Sequence, residues 1–202
     1  ACAPFRRLHL CHHNLESIDT TSTTTHDLLL EVCMAAKYEG DSLTSYNPKY
    51  QATYGDSPSQ ICTVLARSFA DIGDIVRGRD LFYGNPQEKE KRDELESKLK
   101  EIFGKIHGGL SKKDAQNYYK DDAKKNFYRL REDWWTASRH TVWKAITCDE
   151  ENKLASASYF RTTCSDTKGS SVANNKCRCK DDQVPTYFDY VPQYLRWFEE
   201  WA

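Results

Sequence analysis

Apolar residues at Ile61, Leu65, Phe69, Ile72 and Val76 recur in steps of four, four, three and four, which places them on one face of an α-helix. Ser57-Pro58-Ser59-Gln60 has the parts of a helix start: Ser57 as cap, Pro58 at the first helical position, and Gln60 where a capping-box side chain reaches back. Gly78 supplies a stop. Gly73 lies inside the pattern, where glycine costs about 1 kcal/mol relative to alanine, so it implies a close approach by another helix or a kink. The stretch 61–82 is expected to be the central helix of the fold, with Cys62 placed to tie it to something distant.

The same spacing predicts further helices. One starts at about His26, with Leu29, Val32, Cys33 and Ala36 on one face; Gly40-Asp41 is expected to interrupt it and Asn47-Pro48 to mark a second break. Asn85-Pro86 followed by Glu88 repeats the start signal, and Leu95, Leu99, Ile102 and Ile106 then hold one face until Gly108-Gly109. Glu94 with Lys98, Glu96 with Lys100 and Glu101 with Lys105 line its solvent side. A short segment begins over Ser111–Asp114. Residues 125–147 read as a long helix whose apolar stripe drifts through Phe127, Leu130, Trp134, Trp135, Val142 and Ile146. A last helix from about Pro192 puts Val191, Leu195, Phe198 and Ala202 on one face. The Ser/Thr run from Thr20 to Thr25 reads as a connector, and 165–182 as an exposed, mobile polar loop. With no convincing run of alternating residues, the fold class is all-α.

Composition narrows the class. The 202 residues carry 29 Lys+Arg and 30 Asp+Glu, a net charge of −1, so no global field draws the chain to nucleic acid or an anionic membrane, and any polyanion site is a local patch. Charged residues make up 29% of the chain and none of it reads as a membrane span. Eight cysteines favour an oxidising compartment, yet no signal peptide precedes Cys2, and helical spacing runs to the last residue. The expectation is a fragment of a longer secreted or surface protein. Five tryptophans, Trp134, Trp135, Trp143, Trp197 and Trp201, fall at helical spacing and are read as core in preference to a sugar-binding cluster.

Catalytic motifs are not found: there is no G-x-S-x-G, H-E-x-x-H, phosphate loop or dinucleotide fingerprint, and no carboxylate pair stands out. No catalytic, cofactor-binding or metal-binding residue is assigned. His12-His13 near Cys11, or Cys177-Arg178-Cys179, is only a weak signal for zinc ligation, and disulfides are the favoured reading of these cysteines. The chain contains no N-glycosylation sequon. Lys112, Lys113, Lys120, Lys124, Lys125, Arg129 and Arg131 form a local basic cluster that a sulfated glycan can use. The interleaved Asp114, Asp121, Asp122, Glu132 and Asp133 favour an ordinary solvated face instead. Arg77 and Arg79 are expected as surface charges at the exit of the central helix.

Long stretches then become informative together: CAPFRRLHLC at Cys2–Cys11, LLLEVCMAAKYEGDSL at Leu28–Leu43, ARSFADIGDIVRGRDLF at Ala66–Phe82, DWWTASRHTVWKAITC at Asp133–Cys148 and DYVPQYLRWFEEWA at Asp189–Ala202. In this order they closely resemble the Duffy-binding-like alpha domain of the malaria-parasite erythrocyte membrane protein 1 family. The resemblance covers nearly the whole chain, with 83–125 and 149–184 corresponding to variable parts. It implies a disulfide-linked helical bundle in which 1–24 is the tail of a first subdomain, 25–189 the second subdomain, and 190–202 the start of a third that is missing. It implies no enzyme and no cofactor, but a host-cell adhesion module on an antigenically variant protein at the outer face of the infected erythrocyte, anchored in the membrane elsewhere. Rosetting and cytoadherence come with it. The implied partners are erythrocyte or endothelial receptors, heparan-sulfate-like glycans, blood-group sugars, a complement receptor and host antibodies. The alternative is a structural scaffold and variable antigenic surface whose receptor contacts lie in other domains. The resemblance also implies the disulfides Cys62–Cys164 and Cys33–Cys148, with Cys2 and Cys11 pairing upstream of Ala1 or with each other, and leaves Cys177 and Cys179 unassigned.

Overall fold

The computed structural model describes residues 2–21, 24–54, 60–120, 125–166, 169–180 and 183–202, with side chains for all of these except 47–54 and 165–166. Among them are eight α-helices: α1 (Phe5–Leu8), α2 (His13–Glu16), α3 (Thr25–Tyr54), α4 (Gln60–Arg77), α5 (Pro86–Gly108), α6 (Lys113–Tyr118), α7 (Tyr128–Ile146) and α8 (Gln193–Trp201). A two-stranded antiparallel hairpin, β1 (Cys164–Asp166) and β2 (Gly169–Ser171), and a 3₁₀ turn at Phe188–Tyr190 complete the described elements.

α4 is central, as its spacing predicts, and it is buried almost all round. Ile61, Leu65, Phe69, Ile72 and Val76 all lie in the core; a large apolar side chain buried in this way contributes about 1.5–3 kcal/mol. Gly73 is explained by packing: a Cβ there would stand 2.7 Å from the Trp135 ring of α7. Phe69 meets Trp135 and Trp143 at ring-centroid distances of 5.1 and 5.2 Å. The helix ends at Gly78, which takes φ +70°, while Arg79 N–H donates to the Asp74 carbonyl. This is a Schellman stop. Ser57, Pro58 and Ser59 lie outside the described residues. The capping box predicted for α5 is present: Asn85 Oδ1 accepts from Glu88 N–H and Glu88 Oε2 from Asn85 N–H.

Several sequence expectations need correction. α3 runs unbroken through Gly40-Asp41 and Asn47-Pro48. Gly40 serves close packing, since a Cβ there would collide with the Ile146 carbonyl oxygen at the end of α7, and the helix absorbs Pro48 at a cost of about 3 kcal/mol. Second, 165–182 is not simply an exposed loop: beyond the hairpin, Ala173, Cys177 and Cys179 are buried. Trp143 Nε1 donates to the Cys177 carbonyl, and Arg178 donates to Thr147 Oγ1 and the Lys144 carbonyl, so the segment caps the end of α7. Its polar composition hides this because cross-links replace apolar burial as the anchor.

The third correction concerns those cross-links. Cys62 bonds Cys177, and Cys164 bonds Cys179, so Cys62 and Cys164 are both bridged but not to each other. The fold of 172–179 back across α7 brings Cys177, not Cys164, to α4. Cys33 and Cys148 are free thiols, as are Cys2 and Cys11, and burial pushes the Cys33 thiol up to about 11. Fourth, the tryptophan core holds for Trp134, Trp135, Trp143 and Trp197, but Trp201 is exposed, its Nε1 donating to the Cys2 carbonyl. α8 is in fact inverted. Gln193, Arg196 and Trp197 face inward, while Val191, Leu195, Phe198 and Ala202, the face expected to be buried, point to solvent with Tyr194 and Trp201.

Candidate functional site

The inversion of α8 has its cause in α4, where Asp71 and Asp74 are buried beside the apolar face. Arg196 Nη2 reaches both, at 2.7 Å from Asp71 and 2.5 Å from Asp74. Arg6 Nη2 lies 2.7 Å from Asp71 and 2.9 Å from Glu200. Gln193 Nε2 donates to Asp71 and to Asp80, and Arg7 pairs with Asp80. Burial alone would raise Asp71, but Arg6, Arg196 and Gln193 hold it below the ordinary carboxylate value. Burial prevails at Asp74, which is raised despite Arg196 and Arg77. The network thus staples the N-terminal segment and α8 to α4. Arg77, expected at the surface, is buried: it bonds Asp74 at 2.7 Å and the Asp189 carbonyl at 2.6 Å. Only Arg79 stays exposed, against Glu132 at 2.9 Å.

A second buried set ties the 3₁₀ turn to α7. Asp189 accepts from Trp135 Nε1 at 2.9 Å and from Arg139 Nε and Nη2, the second of which also reaches the Thr186 carbonyl. Among the described residues no group of three or more His, Cys, Asp or Glu side chains is arranged to hold a metal. The ionic clusters are structural in their geometry, since every buried acid in them faces an arginine or an amide. Reading the sequence alone missed Asp71, Asp74, Asp80, Arg6, Arg7, Gln193 and Arg196. The available signal was a helix with carboxylates next to its apolar face and no clean polar stripe.

The residues of the predicted basic cluster differ in exposure. Lys112 precedes α6, Lys113 begins it, Lys120 follows it, and Lys125 precedes α7; all four are exposed and none makes an ion pair with another described residue. Arg129, on α7, is exposed too, and packs against the end of α6, its guanidinium 4.7 Å from the Tyr118 ring centroid and donating to the Tyr118 carbonyl. Lys124 lies outside the described residues. Arg131 does not belong: it is fully buried, bonded to both oxygens of Glu96 at 2.8 Å and to the Val76 and Ile75 carbonyls at the end of α4. Two residues, about half a turn of helix, separate a surface cation from a core one here, and cluster counting cannot see the difference.

The sequence pattern of the Duffy binding domain matches residues 1–196. The chain belongs to the Duffy binding domain family. This Duffy binding domain is similar to the NTS-DBL1α domain of Plasmodium falciparum PfEMP1 from the varO strain, at 43% identity and a TM-score of 0.80, over all of this chain and 43% of that one. It is similar to a PfEMP1 DBLβ domain solved bound to ICAM-1, at 32% identity and a TM-score of 0.70, over all of this chain and 44% of that one. A likeness to Plasmodium falciparum erythrocyte binding antigen 140, at 20% identity and a TM-score of 0.58 over 98% of this chain and 24% of that one, concerns the fold alone. The Duffy binding domain described here thus spans less than half the length of the solved chains it matches. No curated protein sequence matches it. Its mostly helical, doubly disulfide-linked architecture is that of the Duffy-binding-like fold. Among the described residues no helix is long and apolar enough to cross a membrane.

Proposed function

We propose that this Duffy binding domain is part of a host-cell receptor-binding adhesion module, acting by contact and charge and not by catalysis. The observation that carries the reading is the likeness, at 32% identity over the whole chain, to a domain solved in complex with ICAM-1. The use of charge agrees with it: the buried ions are spent in holding helices together, while Lys112, Lys113, Lys120 and Lys125 remain exposed with Arg129. We assign these five, with Lys124, to contact with a heparan-sulfate-like glycan or a glycan-bearing red-cell receptor, and place the domain on the outer face of the infected erythrocyte, in rosetting or cytoadherence. In this layout 1–24 is the tail of a first subdomain, 25–189 the second, and 190–202 the first helix of a third.

A second reading, that this part is scaffold and variable surface while other parts touch the receptor, draws support from the outward apolar face of α8. Red-cell binding by this chain and by a version extended to the length of the solved relatives separates the two. Binding by both favours the first reading, and binding by the extended form alone favours the second. For the glycan, retention on heparin should fall steeply with salt, because exposed charges are screened beyond about 8–10 Å. Retention that survives reversal of Lys112, Lys113 and Lys125 to Glu would remove this patch.

A further inference from the structure

A cavity of about 200 Å³ opens between the end of α4, the middle of α5 and the start of α7, and none of the residues assigned above to receptor contact lines it. Its floor is aliphatic, made by Ile75, Leu95 and Leu99, all buried. Its wall carries five charged side chains, and their partners decide what it can hold. Each of the three carboxylates is committed elsewhere. Asp80 is paired with Arg7 and accepts from Gln193 at 2.8 Å, Asp93 is paired with Lys89 at 2.7 Å, and Glu96 takes Arg131 on both oxygens. The two cations are not so committed. Arg92 comes no nearer than 3.9 Å to Asp80 and has a guanidinium nitrogen with no hydrogen-bond partner, its central carbon 4.9 Å from the Tyr83 ring centroid. Lys100 stands 3.9 Å from Glu96, which Arg131 already neutralises. The uncompensated charge of the wall is therefore positive, while its floor is apolar.

We propose that this cavity binds a small apolar carboxylate, with the anionic head at Arg92, in the field of Lys100, and the hydrocarbon body on Ile75, Leu95 and Leu99. A charge-assisted bond to guanidinium is about twice as strong as a neutral one, and the aliphatic floor disfavours a hydroxylated body, whose polar groups would lose water without finding partners. The chemistry is shared by a free short-chain acid and by the terminal carboxylate of a peptide ending in an aliphatic residue.

The test is titration of the folded, oxidised chain with 4-methylpentanoate, followed by amide chemical shifts. Saturable shifts at Gly78 and Leu99 are expected. The neutral 4-methylpentanamide and the hydroxylated glucuronate should each bind at least about tenfold more weakly, and Arg92→Gln should cost on the order of tenfold. Lys100→Gln should weaken binding less, and Lys89→Gln, which leaves the Asp93 carboxylate on the wall without its partner, should weaken it as well. Shifts with N-acetyl-leucine as well as 4-methylpentanoate would identify a peptide terminus as an accepted source, and shifts with 4-methylpentanoate alone a free acid. The proposal is overturned by the lack of a saturable shift, by equal binding of the amide or of glucuronate, or by an Arg92→Gln variant that is folded and binds as before.

Discussion

Replacing Asp71 by Asn keeps the shape of the side chain and removes the charge on which two arginines converge. In the folded protein Asp71 accepts from Arg6 at 2.7 Å, Arg196 at 2.7 Å and Gln193 at 3.0 Å. The neutral amide leaves Arg6 with Glu200 and Arg196 with Asp74, so neither cation is stranded, but each loses one of its two carboxylates. Breaking a buried ion pair costs about 3–5 kcal/mol when the partner is left alone; with both partners half-compensated, a loss of about 3 kcal/mol is expected. Urea unfolding with the disulfides intact measures it. Amide hydrogen exchange adds the location, because protection should fall selectively over 5–8 and 193–201, the two segments that Asp71 attaches. Acid should act in the same place. Asp71 is held below the ordinary carboxylate value, so its contribution is complete above the unfolded pKa of about 3.9 and is lost as pH falls through the lower folded value. Asp74 is raised, so acid relieves its burial penalty and works in the opposite sense. The Asn variant should therefore lose less stability than the parent as pH falls below the unfolded carboxylate pKa of about 3.9. A variant within about 1 kcal/mol of the parent, with unchanged exchange at both ends of the chain, would refute the reasoning.

Two further expectations are simpler. Gly73→Ala should destabilise by about 1–3 kcal/mol despite the better helix propensity of alanine, because its Cβ would press on the Trp135 ring at 2.7 Å; a raised melting temperature would contradict this. Replacing Cys62 and Cys177 together by Ala should cost about 4–5 kcal/mol in the chain-entropy account, for a sequence separation of 115 residues, against about 3 kcal/mol for the Cys164–Cys179 pair at 15; non-reducing peptide mapping checks the pairing itself, and a Cys62–Cys164 peptide would contradict the structure.

What the sequence made legible follows from which forces are local. The caps and stops of α4 and α5, at Gly78 and at Asn85 with Glu88, depend on neighbours within a turn and could be read directly. The core face of α4 was equally plain, because apolar spacing reports burial when a helix sits at the centre. The same rule fails at α8, where the apolar side faces out because Arg196 and Gln193 answer carboxylates more than a hundred residues away. Gly40 misled for a related reason: a glycine chosen to admit the Ile146 carbonyl looks, in one dimension, like a glycine that ends a helix. In the basic cluster, Lys113 and Arg131 were indistinguishable by composition, and only the position of Glu96 separates them. The cysteine partners depend on how 172–179 folds back, which no local pattern encodes.

Many of the long-range ties in this domain end on main-chain oxygens. Arg131 holds the Val76 and Ile75 carbonyls, Arg139 that of Thr186, Arg178 that of Lys144, and Lys98 and Lys105 those of Glu16 and Thr20. A peptide carbonyl is the same acceptor whatever side chain its residue bears. The grip at such a point reads the path of the chain and is blind to its spelling. Residues 16–20, held to α5 in this way, can exchange their exposed side chains without loosening the clasp, whereas the few cations that do the gripping have no such freedom. Fastenings of that kind hold a frame in place whatever exposed side chains it carries.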